Sequence, residues 1–259
     1  MLELRKALFV LCGLAVACLR QELYADERAA DTGAAAKSIA DIYDASTFEP
    51  SPFICSSDQS TNLTVFLEFQ PGAEKVRLSI PRGYFDPRLK LRDNTTRRGQ
   101  VLRIHGESFT PWPPELLPKR QEGPYVGMLL TDYIPIDDLA VHHASLVRGY
   151  TATNVPEFYA VESILGLETL VSDAPPYIDP ETSAYSDTDL HISRNARGQI
   201  TDVITCKKPG SVPYPGCQHY MDSPLVDFKI RYSLNLLPHW QDMSRNARAF
   251  VSCITSSPS

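Results

Sequence analysis

The chain has 259 residues, 43% of them hydrophobic, a net charge of −6 and 21 prolines. That length buries one sizeable core, and the acidic balance argues against a role built on nucleic acid or anionic membrane surfaces. Prolines spread through the chain exclude a helical bundle and point to a loop-rich domain.

Residues 1–25 read as an export signal. Arg5 and Lys6 precede an apolar run over 7–19, and Arg20 opens a polar stretch ending at Leu23-Tyr24-Ala25. The run falls short of the roughly 20 residues a helix needs to cross a bilayer, and no other segment approaches that length. Two processing routes compete. Cleavage after Ala25 frees a soluble protein, whereas Ala15-Val16-Ala17-Cys18 resembles a lipobox that would anchor Cys18 to lipid. Ala15 stands where lipoboxes usually carry Leu, which favours cleavage after Ala25.

Residues 26–52 read as a tether, Ala-rich and charged at first and then broken by Glu49-Pro50-Ser51-Pro52. A single domain is expected over 53–259. Its first strands are predicted over 63–69 and 75–80, the second alternating Val76, Leu78 and Ile80 with Lys75, Arg77 and Ser79. Further strands are expected at 100–105 and 125–133, either side of a Pro-rich excursion over 109–124 that contains Trp112. A short helix is predicted over 135–146, then one or two strands within 157–170. Asn195-Ala196-Arg197-Gly198 is a turn signal, so 190–193 and 199–205 form a hairpin. The longest strand is expected over 226–236. Pro238 then opens a last helix with Met243, Ala247, Phe250, Val251 and Ile254 near helical spacing. The fold class is α+β: mainly antiparallel sheet, a C-terminal helix and disulfide staples.

Signal removal takes Cys12 and Cys18 and leaves Cys55, Cys206, Cys217 and Cys253. In an oxidising compartment an even count indicates bridges. Cys206 and Cys217 enclose a loop holding Pro209, Gly210, Pro213, Pro215 and Gly216, which has little apolar reason to be ordered without a tie. Pairing them leaves Cys55 for Cys253. Cys217-Gln218-His219 is a thin zinc alternative.

Catalytic signatures are missing: there is no nucleophile elbow, no H-E-x-x-H, no phosphate-binding loop and no G-x-G-x-x-G. His142-His143 beside Asp137 and Asp138 hints at a metal or acid–base cluster, set against a solvated helix start with acidic residues in its first turn. His219 is expected to be structural or interfacial surface. Asp173, Asp179, Glu181, Asp187 and Asp189 form an acidic segment without the spacing of an EF-hand loop, so a solvated loop or binding face is preferred to a calcium site. No cofactor or metal is expected.

Several blocks carry a resemblance over about 75–255. They are Ser79-Ile80-Pro81-Arg82-Gly83-Tyr84, then Thr131-Asp132-Tyr133 with Pro135, then Gly166-Leu167-Glu168. The most specific are Cys206 with Pro215-Gly216-Cys217-Gln218-His219-Tyr220, and Tyr232 followed by Leu237-Pro238-His239-Trp240. In these the chain resembles periplasmic immunity proteins encoded beside antibacterial lipase (phospholipase) effectors of the type VI secretion system. The resemblance implies a non-enzymatic periplasmic protein that binds its cognate lipase effector and excludes lipid from the effector's cleft. The segments rich in acid and Tyr are the expected contact face: Asp132, Tyr133, Asp137 and Asp138, and then Tyr177, Asp179 and Tyr185. An envelope lipoprotein or structural module, and a secreted hydrolase, are the alternative readings.

Overall fold

The computed structural model describes residues 47–256, apart from 56–60, 120–122 and 152. The expected export signal, Cys18 and most of the expected tether therefore lie outside the described residues.

Two sheets organise the domain. The smaller has the order β2-β1-β3, from β1 (Asn62–Leu67), β2 (Val76–Pro81) and β3 (Thr95–Arg97). The larger begins with β4 (Gln100–His105) and β5 (Tyr125–Thr131) and continues with β6 (Tyr159–Glu162) and β7 (Glu168–Val171). It is completed by β8 (Thr188–Arg194), β9 (Ile200–Lys207), β10 (Gly216–Met221) and β11 (Asp227–Ser233). These eight strands run in the order β4-β5-β11-β10-β9-β8-β7-β6, and all their pairings are antiparallel. Two helices complete the fold, α1 (Ile136–Val147) and α2 (Trp240–Thr255).

Side-chain alternation sorts the larger sheet into two faces. Successive residues Val203 and Ile204 point to opposite sides, and each joins a different core. One face, carrying Val126, Met128, Leu130, Phe228 and Ile230, packs with the smaller sheet and with Met243, Ala247, Phe250 and Ile254 of α2. The other face is covered over β7 to β9 by Leu139, Ala140 and Ala144 of α1. α1 thus occupies only part of that second face, which decides where the sheet is open.

The strands follow their patterns. In β5 every second residue is fully buried, and in β2 Leu78 and Ile80 are buried while Arg77 is exposed. The Asn195–Gly198 turn closes the β8–β9 hairpin as expected. Asn195 Oδ1 accepts hydrogen bonds from the Arg197 and Gln199 amides at 2.9 and 3.1 Å, and Gly198 adopts φ 79°.

Three expectations need correcting. The run 226–236 is not the longest strand. β11 stops at Ser233 after 7 residues, and β9 with 8 exceeds it. The chain then tightens into a 3-10 helix, Leu234–His239, which places Pro238 inside that turn and starts α2 at Trp240. Two strands went unread. β3 is only three residues long and pairs parallel to β1. β10 reads GCQHYM and lacks the β-branched residues that signal a strand.

Both bridges form as expected. Cys206 and Cys217 sit directly opposite each other on β9 and β10 and pin the Pro/Gly loop between those strands. Cys55 pairs with Cys253 of α2. The chain before it is held as well. Asn246 of α2 accepts from the Phe53 amide at 3.1 Å and donates to the Ser51 carbonyl at 2.9 Å. Phe48 is buried and lies 4.7 Å from the His239 ring. Residues 47–52, the described end of the expected tether, thus lie against the domain. Among the described residues, no helix is long and apolar enough to cross a membrane.

Candidate functional site

The polar cluster nearest to a catalytic arrangement is closed to solvent. Asp202 of β9 faces α2 with its carboxylate buried. Its Oδ1 accepts from His219 Nε2 at 2.7 Å and from Ser244 Oγ at 2.6 Å, and Arg248 Nη2 lies 3.6 Å away. Arg248 also donates to the Thr201 and Asp222 carbonyls at 2.6 and 2.8 Å. Burial alone would raise the Asp202 pKa. The hydrogen bond and charge of His219, with Ser244 and Arg248, outweigh it and hold the carboxyl well below its usual range. Burial, followed by Asp202, pushes the Tyr232 phenol far up.

This set contains a serine, a histidine and an aspartate in the wrong order for nucleophilic catalysis. Ser244 donates to Asp202, so the base does not touch the hydroxyl it would have to activate. The cluster instead ties the sheet to α2. His219, expected at the surface, is fully buried. The zinc alternative at Cys217 and His219 fails because the Cys217 sulfur is bonded to Cys206.

A second contact does pair a hydroxyl with a histidine. Ser163 Oγ lies 3.1 Å from His191 Nδ1, and both border an open depression of about 310 Å³. Burial lowers the His191 pKa, against the opposing charge of Asp189, and so favours the neutral ring. Among the described residues no carboxylate hydrogen-bonds its other ring nitrogen, so the group that would orient the base is missing.

The histidine pair on α1 is divided. His142 is exposed, whereas His143 turns inward to within 5.1 Å of the Tyr220 ring. Burial, then His142 and Lys229, lower its pKa to about 4. Asp137 and Asp138 stay exposed in the first turn of α1.

The expected contact residues fall at the two ends of α1, about 18 Å apart along the helix axis. Asp132 is exposed before its start. Tyr133 is half-buried, edge-on to Tyr220 at 5.5 Å, and its hydroxyl finds no hydrogen-bond partner among the described residues. Beyond the other end, the Ile178 amide donates to the Gly149 carbonyl at 2.8 Å. There Tyr177 is 71% exposed and Tyr185 40%. Asp179 accepts from the Glu181 amide at 3.0 Å, which fixes a local turn. The two segments flank one helix and do not merge into one cluster.

Sequence reading missed a further feature. Where α1 leaves the sheet uncovered, β4, β5, β11 and β10 form an open depression of about 650 Å³. Val101 and Tyr214 on its lining are 57% and 41% exposed. Its charged side chains are Lys207, Lys229 and Arg231. Lys229 Nζ donates to Gln218 Oε1 at 3.0 Å and lies 5.2 Å from the Tyr220 centroid and 5.9 Å from that of Tyr133. Lys207 donates to Asp187 at 2.6 Å. Two lining lysines thus reach the expected segments, Lys229 to Tyr133 and Lys207 to Asp187. Alternating Lys229 and Arg231, on the strand face away from Phe228, Ile230 and Tyr232, was the available signal.

No family model matches this chain, and no curated protein matches it in sequence. A solved structure shares its fold. Smlt3025, an immunity protein of the Stenotrophomonas maltophilia type IV secretion system, superposes with a TM-score of 0.51 at 19% identity, over 74% of this chain and 93% of that one. The iron-regulated outer membrane lipoprotein FrpD of Neisseria meningitidis gives a TM-score of 0.40 at 10% identity, over 80% of this chain and 98% of that one.

Proposed function

We propose that this protein is a periplasmic immunity protein: it binds a co-encoded antibacterial lipase effector of the type VI secretion system and keeps lipid out of the effector's cleft. The observation that carries the reading is the fold shared with Smlt3025 across 93% of that immunity protein. That neighbour serves a type IV system, so the lipase target and the type VI assignment rest on the sequence resemblance. The two disulfides fit an oxidising compartment, in line with the signal pattern of residues 1–25. The buried Asp202 cluster offers no surface to a substrate.

Affinity would come from a few anchors in a polar rim, and the exposed acids at both ends of α1 would add association rate. The test is gel filtration of the purified protein mixed with the neighbouring gene's product. A stable complex is expected, and separate elution would count against the reading. A hydrolase could draw on Ser163 and His191, the shorter of the serine–histidine contacts among the described residues. The protein is expected to leave ester substrates intact, and Ser163→Ala to bind the effector as the wild type does. Ester hydrolysis abolished by Ser163→Ala would reverse the conclusion.

A further inference from the structure

The open face of the larger sheet carries cations without matching anions. Arg231 is exposed, and no carboxylate pairs with it among the described residues. In register, its neighbours are Gly127 on β5 and Gln218 on β10. Gly127 places no side chain between Arg231 and Arg103 of β4, and Arg103 is paired with Asp86. Lys229, two residues before Arg231 on the same face, is held by an amide oxygen and two aromatic rings rather than by a carboxylate. Two unneutralised cations on one concave face stand out in a chain of net charge −6. The lining between them is mixed, with Val101, Leu129 and Tyr214 beside the polar groups.

We propose that this depression is a docking surface for an acidic, extended segment of the partner protein, whose carboxylates pair with Arg231 and Lys229 while its apolar side chains rest on Val101, Leu129 and Tyr214. A guanidinium takes a carboxylate in bidentate fashion, and charge-assisted bonds of this kind are stronger than neutral ones. A polyanion such as DNA or an anionic membrane would meet the repulsion of the acidic molecule as a whole, whereas a short acidic segment contacts the depression alone. The partner's identity as the effector rests on the immunity reading; the chemistry of the surface does not.

The experiment has two arms, both using purified protein at low salt. In the first, calorimetry measures binding of a roughly ten-residue peptide alternating Glu and Val, with a Lys–Val peptide and a DNA duplex as comparisons. The Glu–Val peptide is expected to bind, and Arg231→Glu to weaken it about tenfold or more. Arg77→Glu makes the same charge change on the exposed face of β2 and is expected to leave binding unaltered. Equal binding by wild type and Arg231→Glu, no binding by wild type, or tighter binding of the Lys–Val peptide or of DNA would overturn the proposal. Both substitutions are at exposed positions, and matching thermal unfolding curves exclude misfolding. In the second arm the same variants meet the neighbouring gene's product. Loss of the complex with Arg231→Glu but not with Arg77→Glu supports the docking surface. An unchanged complex overturns it and leaves immunity standing. Should wild type form no complex, the immunity reading fails and the peptide result decides the surface.

Discussion

Asp202 is the residue on which the interior most depends. It interrupts the apolar strand β9 and points, with Ile204 and Cys206, into the main core. A carboxylate there is tolerated only because His219, Ser244 and Arg248 surround it. Asp202→Ala removes one partner and leaves the others buried without it, so it is expected to cost about 3–5 kcal/mol in urea unfolding. A double variant with His219→Ala should lose much less than the sum of the two single losses, since the second change removes a group already stranded. Additive losses would show that the two side chains do not act as a pair.

The same residues set how stability responds to acid. The folded pKa of Asp202 is depressed, so its contribution is complete above the unfolded value near 4 and is lost as pH falls below it. His143 acts in a higher window. Its folded pKa of about 4 lies below the ordinary histidine value of 6.5, so the unfolded chain takes up the proton first and stability falls as pH drops from 6.5 toward 4. Unfolding midpoints measured from pH 7 to 4 should decline for wild type and flatten in His143→Phe. An identical decline in both would remove His143 from the account. Little of this was legible in the sequence. An Asp at a core-facing position of β9 was a readable anomaly, but its partners lie on β10 and α2, 17 and 42 residues away.

At the scale of elements, the two bridges should differ in weight. Cys206–Cys217 spans 11 residues and Cys55–Cys253 spans 198. Chain-entropy arguments give about 3 kcal/mol for the first and about 5 for the second. Replacing Cys55 and Cys253 together by Ser should therefore lower the urea midpoint further than replacing Cys206 and Cys217 by Ala. The opposite order would show that local packing outweighs loop closure. The short bridge carries a separate role, because Tyr214 and Pro215 of its loop line the open face of the sheet. Its loss should raise amide exchange there before it unfolds the domain.

Elements with a clean period were readable. The alternation of β2 and β5, the Asn195–Gly198 turn and the stripe of α2 are all local patterns that the packing confirms. β10 was not, because Cys217, Gln218, His219 and Tyr220 become a strand through pairing with β9 and β11 rather than through propensity. The open depression was hidden for a related reason. It is assembled from two strand pairs, β4–β5 and β10–β11, distant from each other in sequence, and it lies where α1 does not cover the sheet.

For the whole molecule, the domain is a pair of sheets with α2 in the main core and one sheet face left partly bare. Under the proposed immunity reading, a surface tied by two disulfides would meet its partner with little ordering cost. Export would supply the place, the disulfides the robustness and the bare face the contact. The central claim is tested most directly by survival. Cells sending the proposed lipase effector to the periplasm should die without this protein and survive with it. Deleting residues 1–25 should abolish the protection while the purified domain still binds the proposed effector. Equal killing with and without the full-length protein would contradict the account.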